Sequence, residues 1–290
     1  VYALYRRFME GTPEERLRYE QEGHQVGILP PGTETPPRIP DEFLARLKPG
    51  HHPTPVNGPD QTWRWFEQIT DPGTAWCDVT PVPSHVQSGP TDMDWKEGMY
   101  AFGRPMLLFA YKTVAALADG LGLEPHTLAE FFRGGNHLVS PICREAGALK
   151  NGQPTNGRHW DVNGISFHVP SQDDTPRTRL DEATIPHGLF CWNRKGERIK
   201  IERPTGEEKW IGVQAGEMLE SLTGGLITAE LHEVVAGHPD YPRWSVPFFF
   251  WPHLEKRIGP LSAETLARYP NRTALEHLLE KIRGSGMLED

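Results

Sequence analysis

Short runs of β-branched and aromatic residues, each broken by turn residues, follow one another from about residue 136 to residue 252. The runs are ISFHVP (165–170), GLFCW (188–192), RIKIERP (198–204), WIGVQAGE (210–217), LITAELHEVVAG (226–237) and RWSVPFFFWP (243–252). Several short strands at this spacing are typical of a sandwich or barrel, because each strand must bury one face against a second layer. The sequence therefore predicts a mainly β core between these bounds.

Helical sequence patterns precede and follow the predicted β core along the chain. Apolar residues recur at steps of four and three in one segment, which predicts a core-facing helix over about 105–121: Leu107, Tyr111, Val114, Ala118 and Leu121. Near the start of the chain, Thr12-Pro13-Glu14-Glu15 has the sequence of a helix N-terminus. After residue 252, SAETLARYP and RTALEHLLEKIRG return to helical spacing. We expect one domain of residues 1–290: a mostly helical and irregular part over 1–135, the β core over 136–252 and C-terminal helices over 253–290.

Charge and composition exclude several classes of partner. The 30 basic and 39 acidic residues give a net charge of −9, and no Lys/Arg-rich block is present that could track phosphates. No apolar stretch approaches the roughly 20 residues of a membrane span. Three cysteines far apart argue against a disulfide framework and against a cysteine-based zinc site: Cys77, Cys143 and Cys191. We expect a cytoplasmic monomer that binds neither nucleic acid nor membrane.

The segment GRHWDVNG (157–164) suggests a metal site. On a strand, alternation sends His159 and Asp161 to the same face. A third ligand must come from another strand, and His232 in LITAELHEVV is the best candidate. The competitors are His168, His187 and His238. Two imidazoles and one carboxylate on one side of a metal suit iron(II) and leave adjacent positions open for a bidentate co-substrate and for dioxygen.

A second pair of residues at strand spacing begins eleven residues after His232. Arg243 and Ser245 in PRWSVPFFF share a face if this segment is a strand. A guanidinium grips a carboxylate with two parallel hydrogen bonds, and a neighbouring hydroxyl completes such a site. The pair is suited to anchor the far end of a dicarboxylate whose other end chelates the metal, and 2-oxoglutarate has that shape.

The combination GRHWD … LHEVV … PRWS … FFFWP resembles the 2-oxoglutarate/iron(II)-dependent dioxygenase superfamily, specifically its isopenicillin N synthase-like branch. The elements NGISFHV, QDD (172–174), GL (188–189) and KWIGVQAGEMLESLTGG (209–225) follow in the order of that family, with Ser166 in place of a threonine. The similarity is strong over 157–252 and looser over the rest of the chain. The resemblance implies a double-stranded β-helix, or jelly roll, buttressed by helices.

The resemblance also implies a reaction and a set of residues. His159, Asp161 and His232 match the iron ligands of the family, and Arg243 and Ser245 match its acid-binding pair. The implied cofactors are iron(II), 2-oxoglutarate as co-substrate, and dioxygen. The implied activity is oxidation of a small organic substrate by hydroxylation, desaturation or cyclisation, with decarboxylation of 2-oxoglutarate to succinate.

The chain departs from the family pattern at three places. Glu233 stands where an arginine usually follows the distal histidine, and about thirteen residues are inserted at 175–187. The Tyr-Tyr-Pro strand of the family is not legible in NHLVSPICREAG (136–147), so further co-substrate contacts are unassigned.

Two other functions remain compatible with the same motifs. Some members of the branch use no 2-oxoglutarate and bind the carboxylate of the substrate with the R-x-S pair, which would make the chain an oxidase. A non-catalytic jelly-roll protein that keeps a metal for stability is the alternative from another class.

Candidate substrate contacts are harder to assign, because loops set the substrate pocket. The walls that we expect are the insertion at 175–187 and the proline-rich segment 28–59, both of which could close over the barrel mouth as lids. The candidate substrate-binding residues are Phe167, Arg177, Arg179 and Trp210. Their chemistry favours a small molecule with a polar or acidic group, of the kind found in specialised metabolism.

Overall fold

Two antiparallel sheets and flanking helices make up the part of the chain that the computed structural model describes: residues 1–56, 58–71, 73–74, 89–90, 94–150, 152–174, 186–202, 209–261 and 268–288. The helices are α1 (Tyr2–Met9), α2 (Pro13–Leu17), α3 (Asp41–Leu44), α4 (Trp95–Gly120), α5 (His126–Phe132), α6 (Glu217–Leu222) and α7 (Ala274–Gly284), with a 3-10 turn at Glu22–His24. The strands are β1 (Gly27–Leu29), β2 (Trp63–Ile69), β3 (His137–Val139), β4 (Ile142–Arg144), β5 (Pro154–His159), β6 (Ile165–His168), β7 (Gln172–Asp173), β8 (Gly188–Trp192), β9 (Arg198–Lys200), β10 (Gly212–Ala215), β11 (His232–Val235), β12 (Arg243–Ser245) and β13 (Pro247–Phe250).

The order of the strands is that of a jelly roll. The larger sheet has the order β10-β6-β13-β3-β2-β4-β12-β7, with β1 paired to β2, and the smaller sheet has the order β5-β11-β8-β9. The chain crosses from one sheet to the other several times after β4, for example between β5 and β6 and between β10 and β11. The predicted double-stranded β-helix with flanking helices is confirmed.

Strand β2 belongs to the larger sheet although it lies in the part of the chain that we expected to be mostly helical and irregular. Its side chains alternate: Trp63 and Trp65 are buried, whereas Arg64 and Phe66 line the cleft described below. A strand with a polar arginine on its inner face lacks the simple apolar alternation that identifies strands in a sequence. This pattern explains why the sequence analysis did not place β2 in the core.

The main hydrophobic core lies between the larger sheet and helices α1, α4 and α5. Trp65 and Trp95 meet edge to face with ring centroids 4.8 Å apart, and Phe8 contacts both rings. Phe132 of α5 stacks on Phe250 of β13 at 4.5 Å. Aromatic pairs of this kind bury large apolar areas and also fix the relative orientation of their elements. The helices therefore hold one face of the larger sheet and leave its other face for the cleft.

Helix α4 is longer than the sequence predicted. It begins at Trp95 rather than near residue 105, and it continues through Pro105. Gly103 allows the close approach that holds this first half in place, because a Cβ there would stand 2.5 Å from Ile69 and 3.1 Å from Val139. Tertiary packing therefore outweighs the local cost of proline within a helix. Within the described residues, no helix is both long and apolar enough to cross a membrane.

Two helix starts carry the caps that their sequences suggest. Thr12 and Glu15 form a capping box, in which the Glu15 amide donates to Thr12 Oγ1 and the Thr12 amide donates to the Glu15 carboxylate. The same arrangement of Thr273 and Glu276 begins α7. The predicted short N-terminal helix and the helix in RTALEHLLEKIRG are confirmed, whereas most of SAETLARYP lies outside the described residues.

Candidate metal and 2-oxoglutarate site

A cleft between the two sheets contains the candidate site. Along β12 and β13, every second residue lines it: Arg243, Ser245, Pro247 and Phe249. The intervening residues Trp244, Val246, Phe248 and Phe250 are buried on the other side. The period of two predicted for Arg243 and Ser245 is therefore present, and both residues face the cleft. The volume of the whole cleft is about 2270 Å³, and it extends beyond the candidate site to residues of α7.

His159, Asp161 and His232 come together at one point of the cleft. His159 ends β5 and His232 begins β11, and the two residues are paired in the sheet register. Their Nε2 atoms lie 3.4 Å and 3.8 Å from Asp161 Oδ1, and the three potential ligand atoms all lie within 4.8 Å of one another. Two imidazoles and one carboxylate therefore converge as the sequence predicted.

The loop that carries Asp161 is fixed by the start of α6. The backbone amides of Gly216, Glu217 and Met218 donate to the carbonyl oxygens of Gly164 (2.9 Å), Asp161 (2.8 Å) and Asn163 (3.2 Å). These amides lack partners within their own helix, and the loop carbonyls satisfy them. The position of Asp161 is thus set by backbone contacts as well as by its side chain.

Each of the three side chains is oriented by a second hydrogen bond. Ser166 Oγ donates to Asp161 Oδ2 at 2.5 Å, and the amide of Gln214 contacts the same oxygen at 3.2 Å, so that Oδ1 remains directed at the histidines. His159 Nδ1 lies 2.7 Å from the carbonyl of Gly157, and His232 Nδ1 lies 3.1 Å from that of Glu230. With Nδ1 of His159 donating to its carbonyl, Nε2 of that ring is left to act as a ligand atom, and at His232 the amide nitrogen of Gln214 also lies 2.8 Å from Nδ1.

The protonation states of Asp161 and His232 suit a cation. Burial raises the pKa of Asp161, but the charges of His232 and His159 and the hydrogen bond with His159 outweigh it and hold the pKa far below its usual value. Burial lowers the pKa of His232 to about 3, and repulsion from His159 adds to this effect. At His159, burial lowers the pKa, but the hydrogen bond and charge of Asp161 outweigh it and raise the pKa. At neutral pH an ionised carboxylate therefore faces a neutral His232.

Two arginines that sequence reasoning missed, the buried Arg144 and the partly buried Arg64, lie on the neighbouring strands. Arg144 on β4 is paired in register with Arg243 and donates to the carbonyls of His238 and Tyr241. Arg64 on β2 forms ion pairs with Glu34 and Asp60. Both arginines line the cleft. Neither WRWFEQI (63–69) nor ICR (142–144) alternates simply between polar and apolar residues, so no local signal identifies these arginines.

Comparisons with known proteins agree with this architecture. No protein-family model matches the chain. Its sequence is 23% identical over 192 residues to oxoglutarate-dependent flavonoid 7-O-demethylase 1 from Ocimum basilicum, a match that covers 63% of the chain and 46% of that protein. The chain thus spans less than half the length of this curated relative.

Two solved structures resemble nearly the whole chain. A protein assigned to the 2OG-Fe(II) oxygenase family from Caulobacter crescentus has a TM-score of 0.71 and 21% identity, over 96% of this chain and 82% of that one. A full-length protein of Neurospora crassa, solved in complex with alpha-KG, has a TM-score of 0.67 and 19% identity, over 97% and 80%. The chain has the fold of the 2-oxoglutarate/iron(II)-dependent oxygenases. The resemblance to this superfamily that the sequence predicted is confirmed, and the isopenicillin N synthase-like branch stays a prediction.

The predicted substrate contacts fall into three groups in the structure. Trp210 lines the cleft. Phe167 does not: it is fully buried on the opposite face of β6, where its ring meets Phe109 of α4 at 5.6 Å, so the prediction that it contacts substrate is wrong. The physical reason is alternation, because β6 turns Ser166 toward the cleft and therefore Phe167 away from it. Arg177 and Arg179 lie outside the described residues.

The competing histidines take other places in the oxygenase fold. His168 and His187 line the cleft but do not belong to the cluster formed by His159, Asp161 and His232. The ring of His238 packs on Tyr241 at 5.2 Å.

Glu233 points away from the metal cluster and fixes a wall of the cleft. It is fully buried on the opposite face of β11 from His232, and it accepts hydrogen bonds from Arg198 Nε (2.8 Å), Thr54 N (2.9 Å) and Thr54 Oγ1 (3.0 Å). The indole of Trp192 also donates to the carbonyl of His51 at 2.6 Å. The proline-rich segment 28–59 is thereby tied to the smaller sheet at His51 and Thr54, and its closure as a lid stays a prediction.

Gly216→Ala is expected to disturb the Asp161 loop. A Cβ at this position would stand 2.2 Å from the carbonyl oxygen of Asn163 and 2.8 Å from that of Asp161, and neither backbone atom can move independently of the loop. We expect a loss of about 1–3 kcal/mol in the free energy of unfolding, as for other overpacked sites, together with weaker metal binding. Thermal melting and titration with Mn(II) measure the two effects. Gly284→Ala is the control, because a Cβ there meets nothing within 4 Å; equal behaviour of the two variants would contradict the packing described.

Proposed function

We propose that the chain is an iron(II)- and 2-oxoglutarate-dependent oxygenase that oxidises a small organic molecule. The observation that carries this proposal is the shared cleft: the cluster of His159, Asp161 and His232 and the pair Arg243 and Ser245 face the same space between the sheets. One group suits a divalent metal, and the other suits the far end of a dicarboxylate. The fold similarity supports the combination.

The side chains of the metal cluster are ligands of the type that iron(II) prefers. Asp161 is 9% exposed and His232 is 5% exposed, so a charged carboxylate is held away from water beside the two imidazole nitrogens. Such a buried carboxylate gains most from a cation between the three ligand atoms. Two histidines and one carboxylate on one side of a metal form the arrangement found in non-haem iron(II) oxygenases. Ser166 and Gln214 would hold Asp161 in its ligating orientation.

Arg243 and Ser245 would bind the distal carboxylate of 2-oxoglutarate. A guanidinium supplies two parallel donors and the serine hydroxyl a third, which fixes the orientation of the acid as well as its position. When bound, iron(II) and 2-oxoglutarate supply the oxidising power by activating dioxygen, with release of succinate and carbon dioxide. The protein contributes ligand geometry, alignment of the co-substrate and a cleft whose walls exclude bulk water.

The substrate side of the cleft combines aromatic and polar walls. Trp160 and Phe43 both line the cleft and meet edge to face at 5.3 Å, and Trp160 directly follows His159 in the sequence. With Trp210, they favour a flat organic molecule, and the flavonoid of the basil demethylase is one example of that shape. We place the chain in the isopenicillin N synthase-like branch and in specialised metabolism, as a cytoplasmic monomer that binds neither nucleic acid nor membrane.

Arg243→Met is expected to raise the KM for 2-oxoglutarate by about a hundredfold or more, because removal of a bidentate charged contact leaves the distal carboxylate without its main partner. The measurement is succinate release against 2-oxoglutarate concentration with iron(II) and ascorbate. Arg133→Met is the control: Arg133 is an exposed arginine that follows α5 and pairs with Glu130, and its loss should leave the KM unchanged.

Measurements of oxygen uptake separate the alternative functions. Oxygen uptake by the wild-type protein that does not depend on added 2-oxoglutarate would favour an oxidase that binds its substrate with Arg243. A protein that binds metal but consumes no oxygen with any candidate substrate would be a metal-stabilised binding protein.

A further inference from the structure

His168 is a polar side chain of the cleft wall to which the proposed function assigns no role. On β6, the buried Ser166 donates to Asp161, and His168 comes two residues later on the same face, where it lines the cleft. In the sheet register, His168 stands beside Pro247 of β13 and Gly212 of β10. It therefore lies one step farther along the cleft from the metal cluster than Ser166 does, on the side of the strand that leads to Ser245.

Charged groups of both the metal cluster and the pair Arg243 and Ser245 act on His168. Burial lowers the pKa of His168, the charge of Asp161 and a side-chain hydrogen bond with Gln214 raise it, and the charges of Arg243 and His159 lower it. The ring is thus within interaction range of the metal cluster at one end and of Arg243 at the other. Two residues of a strand, such as the step from Ser166 to His168, span about 7 Å. This distance is comparable to the length of a five-carbon dicarboxylate.

The Nε2 atom of His168 is buried and forms no hydrogen bond of good geometry within the described residues, although Gln214 lies close enough to interact with the ring. A buried polar nitrogen without a partner costs free energy, and such atoms in a cleft commonly mark the place of a ligand atom. Its register neighbours Pro247 and Gly212 carry no polar side chain that could serve as the partner. The tautomer of a neutral imidazole follows the partner offered to it, so an anion beside Nε2 favours the form that carries the proton there.

We propose that His168 is a third donor to the distal carboxylate of 2-oxoglutarate, beside Arg243 and Ser245. The proposal rests on the proposed function, because it requires that 2-oxoglutarate binds between the metal cluster and β12. His168 would then set the preference of the site for a dicarboxylic oxo acid over a monocarboxylic one. The imidazole would also close the wall of the cleft between the metal-binding end and the acid-binding end.

The test compares two ligands that differ only at the far end. 2-Oxoglutarate and 2-oxopentanoate have the same chain length and the same chelating end, but 2-oxopentanoate lacks the distal carboxylate. Both are titrated calorimetrically into Mn(II)-loaded wild-type protein, His168→Leu and His168→Gln, so that binding is measured without turnover. Thermal melting and the affinity for Mn(II) show whether each variant keeps its fold and its metal site.

We expect His168→Leu to weaken binding of 2-oxoglutarate by about tenfold to a hundredfold, the range for one hydrogen bond to a charged group. Binding of 2-oxopentanoate should change by less than about twofold, and His168→Gln should recover most of the loss because its amide also carries an N–H. An equal loss for both ligands would overturn the proposal, since His168 would then act at the metal-binding end. No loss for either ligand would overturn it as well. If the wild-type protein itself does not bind 2-oxoglutarate, the proposed function fails, which is a different result from either of these.

Discussion

Asp161→Ala is expected to abolish metal-dependent succinate release, with a decrease of well over about a hundredfold. Loss of a residue that only orients a ligand typically costs about ten- to a hundredfold in metal affinity or activity, and loss of the ligand itself must cost more. In this chain Asp161 is the only carboxylate of the cluster found among the described residues, so no neighbouring acid can replace it. The measurements are calorimetric titration with Mn(II) and succinate release with iron(II) and 2-oxoglutarate.

Two further variants make the Asp161 result interpretable. Ser166→Ala removes the hydrogen bond to Asp161 Oδ2 but keeps the carboxylate, so we expect an intermediate loss of about ten- to a hundredfold. Asp240→Ala removes an exposed acid whose side chain is 77% accessible, and it should behave as the wild-type protein does. If Asp161→Ala bound Mn(II) and released succinate at the wild-type rate, the metal would have to lie elsewhere.

The parts of the site that follow a strand period could be predicted from the sequence. Arg243 and Ser245 stand two residues apart on β12, and alternation brings both to one face. Asp161 also stands two residues after His159, but it lies on the loop beyond the end of β5, so its convergence with the histidines depends on the backbone contacts of that loop as well. His232 required an additional step, because the sequence does not show which strands are neighbours. Its pairing with His159 in the sheet register is a property of the tertiary fold.

Other parts depend on contacts between distant segments and could not be read from local patterns. The α6 amides that hold the Asp161 loop come from a segment much later in the chain. Glu233 accepts hydrogen bonds from Thr54, which lies 179 residues away in the sequence. The error at Phe167 has a different origin. The alternation that places Ser166 in the cleft also places Phe167 in the core, so the period of two was sufficient to exclude it.

Glu233→Leu is expected to destabilise the protein by about 3–5 kcal/mol, the usual effect of removing one partner of a buried ion pair. Glu233 is fully buried and pairs with Arg198, whose guanidinium also lies over the ring of Phe190 at 3.6 Å. Its loss leaves the arginine without its carboxylate and removes both acceptors of Thr54. Chemical denaturation measures the change in the free energy of unfolding, and limited proteolysis shows whether the proline-rich segment 28–59 is released.

The double variant Glu233→Leu/Arg198→Met tests whether the cost comes from the uncompensated charge. Replacement of both partners by apolar residues should recover part of the stability, so the two changes should be less than additive. Lys48→Met is the control, because Lys48 and Glu197 form an exposed ion pair, which contributes little to stability. Since Glu233 faces away from His232, the affinity for Mn(II) should change far less in Glu233→Leu than in Asp161→Ala. A variant that kept its stability but lost the metal would show instead that Glu233 acts in the metal site, and that the wall of the cleft is held by the other contacts of residues 48–54.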